Sequence, residues 1–289
     1  MRKLILSNFI PLVIAFPSII IGAITMFSNK VPIIIWGQNI GCLLILGSIS
    51  CVLISRKSKI KKRNSTSISI LLILILLLLT FFDFGLQGVH RWVSIGPVRF
   101  YVTSIVIPIV FIELWSALQT KNWWISVVIT IVISILLTLQ PDASQLTAFI
   151  IPMIILIWSK TNNKFFRYSI LGLLSMLAIT SWMFLDGLPP VSYVEEIVSL
   201  VANMGIIWLI LGIISLVILP LPFIFFPPKN SKLLSICIGI YFIIILISTI
   251  FGNFPVPLMG YGVSPIIGYF ISITWLVKSK INSKSSFNM

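Results

Sequence analysis

The chain has few charged residues and very few acidic ones. Only 9% of its 289 residues are charged, with 6 Asp and Glu against 20 Lys and Arg. A soluble domain carries about a quarter charged residues. A chain that is 58% hydrophobic, with a mean hydropathy of +1.15, cannot cover the surface of a soluble core with polar groups. The composition therefore excludes an ordinary soluble domain and predicts an integral membrane protein.

Cysteine and histidine are also scarce. Cys42, Cys51 and Cys237 all lie in apolar runs without a CxxC motif, and His90 is the single histidine. These residues form neither a disulfide framework nor a spacing typical of metal ligands, so we expect no metal site and no resident cofactor.

The apolar runs predict an all-α, polytopic membrane protein with about ten transmembrane helices. The run after Met1 is too long for the hydrophobic region of a signal peptide, so we interpret it as the first helix. The predicted helices span approximately 4–27, 32–54, 66–86, 102–119, 123–140, 145–159, 168–185, 196–226, 232–251 and 264–277. We assign 1–277 to a single transmembrane domain and 278–289 to a polar tail.

The distribution of positive charge predicts the orientation. With the N-terminus inside and ten alternating helices, 17 of the 20 Lys and Arg fall on the cytoplasmic side, as membrane insertion favours. Both termini are then cytoplasmic. Because the cations follow this pattern, the net charge of +14 does not indicate nucleic acid as a partner.

The exceptions to this pattern are Lys30, Arg91 and Arg99, and the two arginines lie in the outer segment GVHRWVSIGPVRF at 88–100. Arginine binds phosphate oxygens two at a time, so Arg91 and Arg99 are candidate phosphate ligands, and Trp92 suits the membrane interface. The alternative is that both arginines contact lipid headgroups, or pair with Asp83 or Asp142.

Other polar segments fall on the same predicted side. Asp142, in LQPDASQ, is a candidate ligand-site residue or an N-cap. Glu195 and Glu196 are candidate general bases, or carboxylates favoured by a helix N-terminus. The Pro- and Gly-rich segment 252–265 predicts a broken element that lines a cavity. Glu113 is an acid within a predicted transmembrane helix. Its presence there indicates either a functional site or a hydrogen bond to a neighbouring helix.

These segments, in this order, resemble the SEDS family of shape, elongation, division and sporulation proteins. Gly88-Val-His-Arg91-Trp92 followed by Gly96-Pro97-Val98-Arg99-Phe100 is similar to the family's GxxRW…G…RF segment, and Gln140-Pro141-Asp142 to its QPD segment. Residues 256–265 are similar to its LPFISYGGSS segment, which adds Tyr261 and Ser264 to the candidate substrate-binding residues.

The resemblance implies a bacterial cytoplasmic membrane protein that acts on lipid II or a related undecaprenyl-pyrophosphate-linked sugar, often beside a transpeptidase partner. Family members polymerise glycan strands, so the implied enzyme class is a peptidoglycan glycosyltransferase. A divalent cation beside the pyrophosphate is compatible with that chemistry.

The sequence departs from the family pattern where catalysis is expected. An ungapped match places Val194 at the family's catalytic Asp, with Glu195 one residue away, or about 100° around a helix. The alternatives are a working glycosyltransferase that uses Glu195 or Glu196, a degenerate relative that binds precursor or a partner, and, less favoured, a lipid-linked sugar flippase.

Overall fold

The computed structural model describes residues 10–56, 66–96, 98–120 and 123–285 of the chain. Helix accounts for 72% of the structure and strand for 4%. Because a bilayer offers no water to backbone N–H and C=O groups, spanning segments must satisfy these groups internally, as helices do. The predicted all-α polytopic class is confirmed, and each of the ten apolar runs coincides with helix over most of its described residues.

The chain divides into two compact units, 1–58 with 189–289 and 59–188. The first unit is assembled from both ends of the chain. Its α-helices are α1 (Phe16–Ser28), α2 (Ile33–Ser55), α8 (Ile197–Asn203), α9 (Ile206–Val217), α10 (Leu221–Phe225), α11 (Lys232–Ser248) and α12 (Val263–Ser285).

The second unit is contiguous, and its described residues form five α-helices and a two-stranded antiparallel sheet. These elements are α3 (Thr66–Leu79), β1 (Trp92–Ile95), β2 (Val98–Tyr101), α4 (Val102–Leu118), α5 (Trp123–Leu139), α6 (Ala143–Trp158) and α7 (Lys164–Met183). Both strands lie between the predicted third and fourth helices, where the sequence predicts no regular element.

Among the described residues, five helices are long and apolar enough by length and composition to cross a membrane. They span Ile10–Ser28, Ile33–Ser55, Lys164–Met183, Ile206–Phe225 and Lys229–Ser248. Four shorter apolar helices, Ile68–Leu79, Val102–Leu118, Trp123–Leu139 and Ala143–Trp158, accompany them. The orientation of these helices remains a prediction from the distribution of charge.

Several helices differ from their predicted bounds. The third, predicted to reach 86, ends at Leu79, and the seventh begins at Lys164 rather than at 168. The predicted eighth helix is broken at Gly205, whose φ of +119° is unfavourable for an L side chain, and again near Pro220. The last helix, predicted to end at 277, continues to Ser285. Most of the predicted polar tail is therefore helical, and residues 286–289 lie outside the described part of the chain.

In the first unit, aromatic side chains fill the core between α10, α11 and α12. Tyr241, Tyr269 and Phe223 are at most 1% exposed. The Tyr269 hydroxyl donates to the Leu219 carbonyl at 3.0 Å, so a polar group deep in the unit has a partner, as burial requires.

Candidate substrate-binding site at the outer hairpin

The segment 86–101 folds into two tight turns in succession. Leu86 and Val89 exchange backbone hydrogen bonds across Gln87 and Gly88, which have φ angles of +48° and +84°, as the type I′ turn requires. β1 and β2 then pair from Trp92 with Tyr101 to Ile95 with Val98, and Gly96 supplies the positive φ at the tip.

Arg91 points into the protein. It is 3% exposed, and its Nε donates to the Gln140 carbonyl at 3.3 Å. Its Nη2 donates to the Pro141 carbonyl and forms an ion pair with Asp186. The direct partner is therefore Asp186, which follows α7, and not Asp83 or Asp142 as the sequence suggested.

Asp142 lies beside this ion pair and caps α6. Its carboxylate accepts from the Tyr101 hydroxyl at 2.6 Å and from the Gln145 backbone N–H at 3.3 Å. Burial raises the pKa of Asp142, although Arg91 and the Tyr101 hydroxyl oppose that shift. The N-cap interpretation of Asp142 is thus realised, and the same carboxylate also joins a buried polar network.

The arginine keeps its charge in this network. Burial alone would lower the pKa of Arg91, but the nearby Asp142, Tyr101 and Asp186 together raise it above its ordinary value. Gln140 completes the network, since its amide nitrogen donates to the Thr80 hydroxyl at 2.7 Å and its amide oxygen accepts from Thr103 at 3.3 Å. Two predicted polar segments, 88–100 and 140–142, therefore meet Asp186 at one end of the second unit.

Arg99 and Trp92, by contrast, line a cavity of about 80 Å³ on the surface of the hairpin. Arg99 is exposed, and its strand partner is Ser94. Asp83 anchors this surface by accepting from the Ser94 backbone N–H at 2.5 Å, a hydrogen bond that lowers the pKa of Asp83. The lining consists of Asp83, Phe84, Gly85, Leu86, Trp92, Ser94 and Arg99.

The candidate bases lie in the first unit. The Glu195 carboxylate accepts from the Val191 N–H at 2.8 Å and closes the turn that precedes α8. Glu196 is the exposed N-cap residue of that helix, without a side-chain capping bond. The Val194 carbonyl accepts from the Val256 N–H at 3.2 Å, so this turn is joined to the Pro- and Gly-rich segment.

The Pro- and Gly-rich segment is held by α2. The buried Asn39 side chain donates to the Gly260 carbonyl at 3.0 Å and accepts from the Gly262 N–H at 3.2 Å. Tyr261 donates to Gln38 at 2.8 Å, and Ser264 is 2% exposed. The broken element that the sequence predicted is present. The side chain of Asn39 provides hydrogen-bond partners for its backbone groups at Gly260 and Gly262.

Several residues of the site were not predicted from the sequence. Asp186, Gln140 and Tyr101 complete the network around Arg91, and Asn39 holds the broken element. Gln140 lies within the QPD segment already singled out, so its position was a signal, whereas nothing local distinguished Tyr101 or Asp186. No group of three or more His, Cys, Asp or Glu that could hold a metal ion occurs in the part of the chain that the structure describes.

Comparison with known proteins places the fold in a recognised class. No known family profile matches the chain, and no curated protein matches it. Among solved structures it is similar to a bacterial rod shape-determining protein. That protein is the rod shape-determining protein RodA of Thermus thermophilus, a SEDS protein, with a TM-score of 0.67 and 15% identity over 94% of this chain and 96% of that chain. A point mutant of the same RodA gives a TM-score of 0.65 with the same identity and coverage. The likeness establishes a RodA-like fold.

Proposed function

We propose that this chain is a SEDS-type membrane protein that binds a lipid-linked cell-wall precursor, lipid II or a related undecaprenyl-pyrophosphate sugar, at its outer face. The observation that carries the proposal is the cavity at the hairpin of a RodA-like fold, where Arg99 stands beside Trp92 and Phe84. A guanidinium suits a pyrophosphate, and aromatic rings suit the interface at which a lipid-linked ligand is held.

The two arginines then have different tasks. Arg99 is the exposed cation that can meet a ligand. Arg91 is buried and paired with Asp186, so we assign it to positioning, because it holds the hairpin against the ends of α5 and α7. Trp92 contributes its ring to the cavity, while the neighbouring Tyr101 ring, 6.4 Å away between centroids, fixes the tilt of Trp92.

We assign binding rather than polymerisation as the function. The position of the family's catalytic Asp is occupied by Val194, and the adjacent Glu195 carboxylate is hydrogen-bonded to its own turn. Glycan polymerisation needs a base at the acceptor sugar hydroxyl. The Glu195 carboxylate lies one residue beyond the family's catalytic position and accepts a hydrogen bond from a backbone N–H, so it is poorly suited to that role. A transpeptidase partner remains compatible with either activity.

Binding of labelled lipid II to the purified protein in nanodiscs tests the proposal. Arg99→Gln should weaken binding about tenfold to a hundredfold, since a hydrogen bond to a charged group contributes about 1.5–3 kcal/mol. The matched control is Lys30→Gln, which removes another exposed cation predicted to lie on the same side but outside the cavity. Equal affinity of both variants and the wild type would contradict the site.

Polymerisation of lipid II by the same preparation, alone and with candidate transpeptidases, tests the assignment of activity. We expect no glycan strands. Glycan strands that are formed by the wild type and by the exposed-surface variant Lys30→Gln, but not by Glu195→Gln, would overturn the assignment of binding alone. They would identify a glycosyltransferase whose base has moved to Glu195.

A further inference from the structure

At the other end of the second unit, basic and aromatic side chains are gathered where α6 ends and α7 begins. Arg167 and Trp158 each hydrogen-bond the other's backbone. The Arg167 Nη2 donates to the Trp158 carbonyl at 2.8 Å, and the Trp158 indole N–H donates to the Arg167 carbonyl at 3.3 Å. The guanidinium carbon lies 6.0 Å from the centroid of the indole ring, so this cation is fixed in place on an aromatic surface.

Lys160 is held in a similar way. Its ammonium donates to the Gln119 amide oxygen at 2.6 Å and lies 5.6 Å from the centroid of the Trp115 ring. Lys164 begins α7, whose first turn is capped by Asn163. We call Trp115, Trp158, Lys160, Lys164 and Arg167 the basic aromatic cluster.

Acids are sparse around the cluster in the sequence, and the nearest one is Glu113, two residues before Trp115 on α4. The chain has no Asp or Glu between Glu113 and Asp142, and none between Asp142 and Asp186. In addition, the Nε–H of Arg167 is buried and has no acceptor among the described residues. A buried donor without an acceptor costs about 1–3 kcal/mol, which an anionic oxygen at this position would offset.

The surroundings of the cluster are those of a membrane interface. Phe165 is 82% exposed, Tyr168 is 65% exposed and Trp124 is 55% exposed. Large aromatic side chains that stay exposed beside cations at the ends of apolar helices match the depth of lipid headgroups. The preference of cytoplasmic loops for Lys and Arg would explain cations on this side. It does not explain why Arg167 is hydrogen-bonded to Trp158 and stacked on its indole ring.

We propose that the basic aromatic cluster binds the phosphate of an anionic phospholipid on the side opposite the outer hairpin, with Arg167 and Lys160 as its ligands. Glycerophospholipid phosphates supply the oxygen acceptors, and the acyl chains lie along the apolar surfaces of α5 and α7. This inference does not depend on the function proposed for the outer cavity.

Native mass spectrometry and thermal unfolding in mild detergent, with added phosphatidylglycerol or phosphatidylcholine, test this site. Phosphatidylglycerol should be retained by the wild type and raise its Tm more than phosphatidylcholine does. Arg167→Gln and Lys160→Gln should each lower the affinity for phosphatidylglycerol about fivefold, the effect of one cation near an anionic lipid. Lys232→Gln removes an exposed cation predicted to lie on the same side but outside the cluster, and should bind as the wild type does.

Each alternative outcome is distinguishable. Equal loss in Lys232→Gln would show that net charge alone attracts the lipid and would overturn the site, as would equal stabilisation by the two lipids. Equal protection by inorganic phosphate would make this a general anion site and overturn the lipid assignment. If Arg167→Gln does not fold, Lys160→Gln decides the matter, because Lys160 reaches Gln119 by an exposed hydrogen bond.

Discussion

Arg91 in the outer hairpin forms an ion pair with Asp186 beyond the end of α7, and their side chains are only 4% and 8% exposed. The two residues are 95 positions apart in the chain. The pair closes one end of the second unit and joins the hairpin to the chain beyond α7, which the sequence shows only as separate loops. Because Arg91 is buried in this pair, its role is structural. Arg99 is exposed and is the arginine that we propose to contact the precursor.

Removing one partner of this ion pair should strongly destabilise the protein. Arg91→Gln leaves the buried carboxylate of Asp186 without its cation, and breaking a buried pair in this way costs about 3–5 kcal/mol. Thermal unfolding in detergent measures the loss. Arg99→Gln is the matched control, because it removes an exposed arginine of the same hairpin and should change stability by about 0.5 kcal/mol or less. A similar Tm for both variants would contradict the structural role of Arg91.

The pH dependence of stability should report on Asp142, which faces Arg91, Asp186 and the Tyr101 hydroxyl. Burial raises its folded-state pKa above the value of about 3.9 expected in the unfolded chain. The folded state therefore binds the proton more tightly, and this contribution is complete below about pH 3.9 and lost as the pH rises through the folded-state pKa. Asp142→Asn keeps the capping oxygen but cannot titrate.

The measurement is the Tm of both proteins from about pH 4 to pH 8 at constant ionic strength. The Tm of the wild type minus that of Asp142→Asn should fall as the pH rises. Parallel profiles would show that burial does not raise the pKa of Asp142.

Asn39 should be a stability determinant of the first unit. Asn39→Ala removes the donor to the buried Gly260 carbonyl and the acceptor of the Gly262 N–H, and each unsatisfied buried group costs about 1–3 kcal/mol. Gln38→Ala is the comparison, since it removes only the part-buried hydrogen bond from Tyr261. Chemical unfolding should show the larger loss for Asn39→Ala; the reverse order would refute its role in holding the broken element.

Gly260 should not tolerate even one added methyl group. An alanine Cβ there would collide with the Val194 carbonyl oxygen and lie 3.0 Å from the Val256 carbonyl oxygen. Overpacking against backbone of this kind costs about 1–3 kcal/mol. Gly41→Ala adds the same group within α2, where nothing lies within 4 Å, and should be neutral or stabilising. Equal Tm values for the two variants would show that the chain relieves the contact without cost.

The helices were predictable because their signal is local. A membrane-spanning helix is an unbroken apolar run, and this chain has ten of them separated by short polar loops. The errors fell where a local signal was ambiguous. Gly205 and Pro220 break a run that reads as one long helix, and Lys278 begins a polar stretch that nonetheless stays helical to Ser285. The paired strands at Trp92 and Tyr101 were missed because four-residue strands carry little periodicity.

The candidate site was predictable only in part. The sequence singled out 88–100 and 140–142 as polar segments, but it contains nothing that distinguishes two arginines eight positions apart. The alternation of a β-hairpin and the presence of Asp186 decide which one is exposed and which one is buried. The roles of Glu195 and Glu196 in chemistry stay predictions, and the hydrogen bond from Val191 to Glu195 is a contact that no spacing rule would have supplied.

The sequence alone determined that this chain is a helical membrane protein and which of its loops are polar, since hydropathy and charge act residue by residue along the chain. Only the tertiary structure decided which of those polar residues meet. Arg91 and Asp186, or Asn39 and Gly260, lie far apart in sequence and satisfy each other's charge or hydrogen bonds only after the helices pack. Burial then determines whether a cation stabilises the fold, as Arg91 does, or is left at the surface to bind a ligand, as we propose for Arg99.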